Sequence, residues 1–73
     1  MKKIVLTGAA GRLGSYLREP LLKLADELVS SDIVENIGTL YPNETYLSAD
    51  LSNLPDMIKL LKDADMVVHF GAI

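Results

Sequence analysis

Short apolar runs along the chain alternate with longer stretches in which leucines recur at helical spacing. The run KIVLT (3–7) contains β-branched residues and is followed by a glycine, which predicts a strand buried on both faces. Behind it, leucines recur every three or four residues, which predicts a helix with one apolar stripe. Pro20 falls inside this helix and should bend or divide it near Tyr16–Glu19; we expect one helix with a kink. The leucines expected to form the stripe are Leu13, Leu17, Leu21 and Leu24.

Three further apolar runs predict three more strands. They are ELVSSD (27–32), TYLSA (45–49) and the segment Met66–Phe70. Residues 33–44 separate the first two of these runs and contain glycine, proline and asparagine without a clear period. This composition predicts an irregular crossover with at most one helical turn.

A second helix is predicted over residues 53–64, between the last two strands. Asn53 is a suitable N-cap, and Pro55 is tolerated because it lies in the first turn. The apolar spacing places one set of side chains toward the sheet. The residues expected to face the sheet are Leu54, Ile58 and Leu61.

The resulting order is β-α-β-loop-β-α-β, which is typical of the α/β class, with a parallel sheet and right-handed crossovers. Seventy-three residues make at most one small domain, and the sequence stops just after the fourth predicted strand. We therefore expect residues 1–73 to be the N-terminal part of a larger, doubly wound domain. On its own this part leaves strand edges unpaired, so we expect marginal folding or association, for example as a homo-oligomer.

Composition narrows the function classes. The net charge of −3 argues against a nucleic-acid partner, and no apolar run approaches the roughly 20 residues that span a bilayer. The apolar run at the N-terminus is too short for a secretory signal. The absence of cysteine excludes disulfides and thiolate metal sites and fits a reducing cytoplasm. We predict a cytoplasmic protein with no metal site.

The segment TGAAGRLGS (7–15) places three glycines between the first strand and the first helix. The first N–H groups of a helix lack internal partners and carry the positive end of the helix dipole. Glycines let a pyrophosphate approach this backbone closely. The other explanation is structural: a turn that needs positive φ and a helix packed close to a strand. The segment is not a Walker A loop, because no Lys-Ser/Thr pair follows.

Asp32 favours the phosphate interpretation. It closes the second strand 18 residues after Gly14, and a dinucleotide-binding fingerprint expects an acid about 20 residues on, for the adenosine ribose. A carboxylate there repels a 2′-phosphate, so we predict NAD in preference to NADP. Two alternatives remain: Asp32 is a solvated strand-end acid, or Arg12 meets a 2′-phosphate.

The segment TGAAGRLG resembles the T-G-x-x-G-x-x-G signature of the extended short-chain dehydrogenase/reductase superfamily, in the NAD-dependent epimerase/dehydratase group. The segments SDI, SADLSN and VVHFGAI follow in the family's order, so the resemblance covers all 73 residues. It implies a Rossmann-type dinucleotide-binding fold. Within the group, the N-terminal segment and HFGAI are most similar to uronate dehydrogenases, which oxidise hexuronic acids with NAD. The triplet RLG departs from the aromatic-Ile-Gly of many sugar-nucleotide epimerases.

The resemblance implies a role for each residue that matches the family's motifs. The glycines and the two residues after the second glycine contact the pyrophosphate. Asp32 and its neighbour hold the adenosine ribose, an Asp-Leu pair lies at the adenine, and the loop after the fourth strand passes the ribose and phosphates. The implied cofactor-binding residues are Gly8, Gly11, Arg12, Leu13, Gly14, Asp32, Ile33, Asp50, Leu51, Phe70, Gly71 and Ala72. From the sequence alone, an acid in the position of Asp50 is more often a strand-end or capping residue.

The family's catalytic Tyr-x-x-x-Lys is missing. Four residues after Tyr16, Tyr41 and Tyr46 the chain has Pro20, Thr45 and Asp50. We therefore predict no catalytic residues in this chain, no turnover by the isolated 73 residues, and packing or surface roles for the tyrosines. Three functions stay open. They are the NAD-binding segment of a uronate dehydrogenase acting on a sugar acid, that of a nucleotide-sugar epimerase or dehydratase, and a non-catalytic dinucleotide-binding or redox-sensing module.

Overall fold

The computed structural model describes residues 2–70, and its elements follow the predicted order. Four parallel strands form one sheet in the order β3-β2-β1-β4. The α/β class and the parallel sheet are therefore confirmed. The elements are β1 Lys3–Thr7, α1 Arg12–Leu22, β2 Glu27–Asp32, β3 Glu44–Ser48, α2 Leu54–Leu61 and β4 Met66–His69.

The two central strands explain why the sheet is apolar on both faces. Alternate residues of a strand point to opposite faces, and helices lie on both faces of a doubly wound sheet. On one face Ile4 and Leu28 pack with Leu21 of α1. On the other, Val5 packs in a second cluster with Leu60 of α2. We call these surfaces the α1 face and the α2 face.

Helix α1 continues through Pro20 as one helix, as predicted, and ends at Leu22, so the proline removes a backbone donor only near the end of the helix. The predicted stripe is wrong at its ends, since Leu13 and Leu24 are each 63% exposed. The residues toward the sheet are Gly14, Leu17 and Leu21, and a glycine is invisible to a search for apolar spacing.

The side of helix α2 that faces the sheet is opposite to the predicted side. The Asn53 cap is confirmed, because its side chain accepts a hydrogen bond from Asp56 N at 3.1 Å. However, Leu54 and Ile58 are 69% and 65% exposed, and Leu61 is also exposed. Leu60 is the buried residue of the helix. A second apolar series has equally good spacing, with Met57 and Leu60 in the helix and Ala64 just beyond its end, so periodicity alone did not decide between the two.

The strand bounds shift by one residue at two places. Strand β3 covers residues 44–48, where 45–49 was predicted, and β4 ends at His69, one residue before Phe70. Residues 33–43 contain no helix, as predicted for the crossover. Neither helix in the described part of the chain is long and apolar enough to cross a membrane.

A polar network joins α1 to the crossover. Glu44 at the start of β3 is buried, and it accepts hydrogen bonds from Arg18 Nη2 at 2.6 Å and Arg18 Nε at 2.7 Å. Ser30 Oγ and Tyr41 N also donate to this carboxylate. Burial alone would raise the pKa of Glu44, but hydrogen bonds from Arg18, Ser30 and the Tyr41 backbone lower it. The carboxylate therefore stays ionised and holds one end of the crossover.

Candidate functional site

A cleft of about 230 Å³ lies at the carboxyl ends of the strands. Residues at or just beyond the ends of all four strands line it, because parallel strands end at the same edge of a sheet. The order β3-β2-β1-β4 places a topological switch point beside β1, which is where open α/β sheets bind ligands. The cleft is lined by Thr7, Gly8, Gly11, Ser31, Asp32, Ile33, Ala49, Asp50, Leu51 and Phe70.

The three glycines serve different purposes. Gly8 has φ +74°, a conformation that side chains rarely adopt. A Cβ added to Gly14 would lie 2.0 Å from the Gly8 carbonyl oxygen, so the start of α1 lies directly against the turn. Gly11 has φ −74° and an ordinary backbone, and it lines the cleft. Gly14 therefore serves close packing, whereas Gly8 and Gly11 leave backbone bare at the cleft.

The first turn of α1 supplies no group that neutralises the N-terminus of the helix. Gly11 is its N-cap and provides no side-chain hydrogen bond, and the first turn contains no acidic residue. The first N–H groups of a helix have no intrahelical acceptor, and they carry the positive end of the dipole. Arg12 and Leu13 are exposed in this first turn, outside the set of residues that line the cleft. This end of α1 is suited to an anion.

Asp32 connects the end of β2 to the glycine turn. Its Oδ2 accepts a hydrogen bond from Ala10 N at 3.0 Å, and its Oδ1 accepts one from Ile33 N at 2.7 Å. A carboxylate offers about four acceptor sites, so two remain for another donor. The carboxylate therefore lies at the cleft, held in one orientation, with acceptor capacity for a ribose hydroxyl.

Asp50 lines the cleft and also stabilises its own turn. Its Oδ1 accepts hydrogen bonds from Ser52 N at 2.9 Å and Ser52 Oγ at 2.7 Å. These hydrogen bonds lower the pKa of Asp50. The N–H of Asp50 donates to Asp56 Oδ2 at 3.0 Å, which connects this turn to α2. The turn role is thus observed, and Asp50 lies with Leu51 in the lining of the cleft; the adenine contact that the resemblance implies stays a prediction.

Phe70 lines the cleft where the chain leaves β4. Its N–H donates to both oxygens of Thr7, the carbonyl oxygen at 3.2 Å and Oγ1 at 3.1 Å. These contacts hold the start of the loop after β4 against the end of β1. The two other residues predicted in this loop, Gly71 and Ala72, lie outside the described residues.

The sequence prediction missed Ser31. It lies in β2, is 1% exposed and lines the cleft. Within residues 2–70 its hydroxyl oxygen has no hydrogen-bond partner. Burying such a group costs free energy unless a partner satisfies it, so a polar ligand in the cleft would supply what the fold lacks. The sequence feature that could have pointed to Ser31 is the pair of serines inside an otherwise apolar strand.

The chain is similar to known proteins over nearly its whole length. The model of the NAD dependent epimerase/dehydratase family matches residues 4–73. Uronate dehydrogenase of Pseudomonas putida is 37% identical over 71 residues, which are 97% of this chain and 26% of that protein. The dTDP-glucose 4,6-dehydratase of Streptomyces antibioticus is 30% identical over 82 residues, covering 94% of this chain and 24% of that protein.

A solved structure shows the same arrangement of elements. It is a mutant uronate dehydrogenase of Agrobacterium tumefaciens complexed with NAD, and it matches the whole chain with a TM-score of 0.92. The two are 34% identical, and the match covers 27% of that structure. The Rossmann-type fold and the family resemblance are thereby confirmed, and NAD is confirmed as the cofactor at the level of the family. The chain spans about a quarter of the length of these relatives.

Proposed function

The chain belongs to the NAD-dependent epimerase/dehydratase family, and we propose that it is the NAD-binding segment of a uronate dehydrogenase. That enzyme would transfer hydride from the anomeric carbon of a hexuronic acid to NAD. The observation that carries the proposal is the cleft, where the N-terminus of α1, with no acid in its first turn, and the Asp32 carboxylate, which accepts from Ala10 N, meet at a bare glycine turn. In this proposal residues 1–73 are the N-terminal part of a longer cofactor domain.

The residues of the cleft fit the parts of a dinucleotide. The glycine turn and the backbone of Arg12 and Leu13 would hold the pyrophosphate, since these amides carry the positive end of the α1 dipole. Asp32 would accept from the adenosine ribose, with Ile33 beside it. The wall formed by Asp50 and Leu51 would meet the adenine, and the loop that begins at Phe70 would pass the ribose and phosphates. The unsatisfied hydroxyl of Ser31 supports a polar occupant.

The chain binds and orients the cofactor, and it does not complete the reaction. When bound, NAD supplies the hydride acceptor. The family's Tyr-x-x-x-Lys is missing from these 73 residues, so proton transfer falls to a part of the parent enzyme beyond them. We therefore propose that the isolated chain produces no NADH from a sugar acid. We place the parent enzyme in the cytoplasm, which suits a chain without cysteine, and a homo-oligomer is its proposed state.

A second candidate differs only in the substrate. The similarity to dTDP-glucose 4,6-dehydratase supports a parent that acts on a nucleotide sugar. The first candidate is preferred because the identity to the uronate dehydrogenase is higher, at 37% against 30%. Assaying the parent enzyme with hexuronic acids and with nucleotide sugars distinguishes the two candidates, because the enzyme should convert only one of these substrate classes.

The cofactor proposal is tested by titration calorimetry of the chain with NAD and NADP. Asp32→Ala is expected to weaken NAD binding about 10- to 100-fold, because it removes a hydrogen bond to a charged group. The same variant should leave NADP binding unchanged or improve it, since a repulsion to the 2′-phosphate disappears. Asp26→Ala is the matched control, because this exposed acid precedes the opposite end of β2. Unchanged NAD affinity in Asp32→Ala would remove the ribose role.

A further inference from the structure

The crossover after Asp32 lacks the hydrogen bonds that a helix would provide. Residues 33–43 form no helix, so their backbone N–H and carbonyl groups need partners from elsewhere. Strand β3 supplies several, because Glu44, Tyr46 and Ser48 share one face of the strand. Glu44 binds α1 and the far end of the crossover, as described above. The other two side chains contact the near end, beside the cleft.

Two hydroxyl groups of β3 hold three consecutive carbonyls. Tyr46 Oη lies 2.6 Å from Val34 O and 3.1 Å from Asp32 O, and its hydroxyl donates to them. Ser48 Oγ donates to Ile33 O at 3.3 Å. Burial raises the pKa of Tyr46, and the Asp32 charge raises it further, so the hydroxyl keeps its proton at neutral pH. The backbone path of residues 32–34 is therefore set from β3.

Residues 32–34 also supply one of the two hydrogen bonds that hold the Asp32 carboxylate, the other coming from Ala10 N. Asp32 Oδ1 accepts from Ile33 N at 2.7 Å, and Ile33 lies between the two carbonyls that Tyr46 contacts. If the path of residues 32–34 relaxes, the position of this N–H changes and the carboxylate turns with it. A carboxylate in a loose orientation loses part of the hydrogen-bond energy that it gives to a ribose.

We propose that Tyr46 is a positioning residue of the nucleotide site, whose hydroxyl holds the Asp32–Val34 backbone so that the Asp32 carboxylate faces the adenosine ribose. This inference rests on the proposed NAD-binding function and adds a residue that lies outside the cleft lining. The sequence predicted only a packing or surface role for this tyrosine. A packing role and a positioning role differ in one measurable respect. Packing affects every ligand equally, whereas positioning through Asp32 affects only ligands that bind its carboxylate.

The test compares Tyr46→Phe with wild type by calorimetry, using NAD, NADP and an NAD analogue that lacks the adenosine 2′-hydroxyl. The variant keeps the ring and removes only the hydroxyl. We expect NAD to bind about three- to tenfold more weakly, which is the loss that one hydrogen bond predicts. The 2′-deoxy analogue should lose less than about twofold, and the preference for NAD over NADP should fall by about the same factor as the NAD affinity.

Two further variants control the test. Tyr16→Phe removes a hydroxyl that is exposed on α1, where the residue is 74% exposed, and should change none of the three affinities. Ser48→Ala removes only the 3.3 Å contact to Ile33 O, and it should show the same selectivity at about twofold. Thermal melts of each variant report any loss of folding separately from binding.

Each possible outcome either supports or overturns the proposed role of Tyr46. An equal loss on NAD and on the 2′-deoxy analogue would show that Tyr46 acts through packing alone, and no loss on NAD would show that its hydroxyl is not needed; either overturns the inference while the NAD proposal stands. A wild-type chain that does not bind NAD overturns both. A loss confined to ligands with the 2′-hydroxyl establishes the positioning role.

Discussion

The described residues cover the two faces of the sheet to different degrees. On the α1 face, a helix and the crossover cover the strands, and the polar network around Glu44 joins them. On the α2 face the buried cluster is small, and the apolar side chains of Ile58 on α2 and Val67 on β4 are exposed. The α1 face thus buries a larger apolar cluster and pairs its polar groups, with Met66 exposed at its edge, whereas the α2 face leaves more of its apolar surface in contact with solvent.

The difference shows where the site gets its rigidity. The glycine turn packs against the start of α1, and Tyr46 and Ser48 hold the segment after Asp32 from the same side of the sheet. The α2 face contributes to the cleft mainly through the turn at Asp50. Changes on the α1 face should therefore alter both stability and ligand binding, while changes on the exposed side of α2 should alter neither.

The largest expected effect is that of Gly14→Ala. The added Cβ would lie 2.0 Å from Gly8 O and 2.8 Å from Gly8 C, and backbone on both sides must shift to admit it. We expect a loss of at least about 3 kcal/mol in the free energy of unfolding, the upper end of overpacking costs. This is a large part of the roughly 4–10 kcal/mol that a chain of this size has. Urea denaturation followed by circular dichroism measures it.

Gly11→Ala is the matched control for this prediction. Gly11 has an ordinary φ of −74°, and its added Cβ would lie 3.3 Å from the same Gly8 oxygen. The stability loss should stay below about 1 kcal/mol. Equal losses in the two variants would show that α1 does not lie as close to the turn as described.

A smaller effect separates the two sides of α2. Leu60→Ala removes the one buried side chain of the helix and should cost about 2 kcal/mol, the low end for such truncations because half-exposed neighbours can close the space. Ile58→Ala should change stability by less than about 0.5 kcal/mol. The same denaturation experiment measures both. A larger cost for Ile58→Ala than for Leu60→Ala would restore the orientation first predicted from the sequence.

The sequence pattern was sufficient for features that depend on neighbours along the chain. The order of strands and helices, the Asn53 cap and the acid at the end of β2 all follow from local spacing or residue type. The orientation of α2 did not follow, because two apolar series at helical spacing compete and only contact with the sheet selects Leu60. The close approach of Gly14 to Gly8, the unsatisfied Ser31 hydroxyl and the contacts of Tyr46 are distances between segments that spacing does not encode.

The central claim is that the carboxyl ends of these strands bind the dinucleotide. The most direct test is a titration of the chain with NAD in which ¹H–¹⁵N NMR spectra monitor the backbone amide resonances. We expect shifts at Gly8, Ala10 and Gly11 in the glycine turn, and at Asp32 and Ile33 at the end of β2. The amides of Ile58 and Leu61 on the exposed side of α2 should remain unchanged. Shifts centred on α2, or a glycine turn that does not respond to NAD, would contradict the claim that the carboxyl ends of these strands hold the dinucleotide.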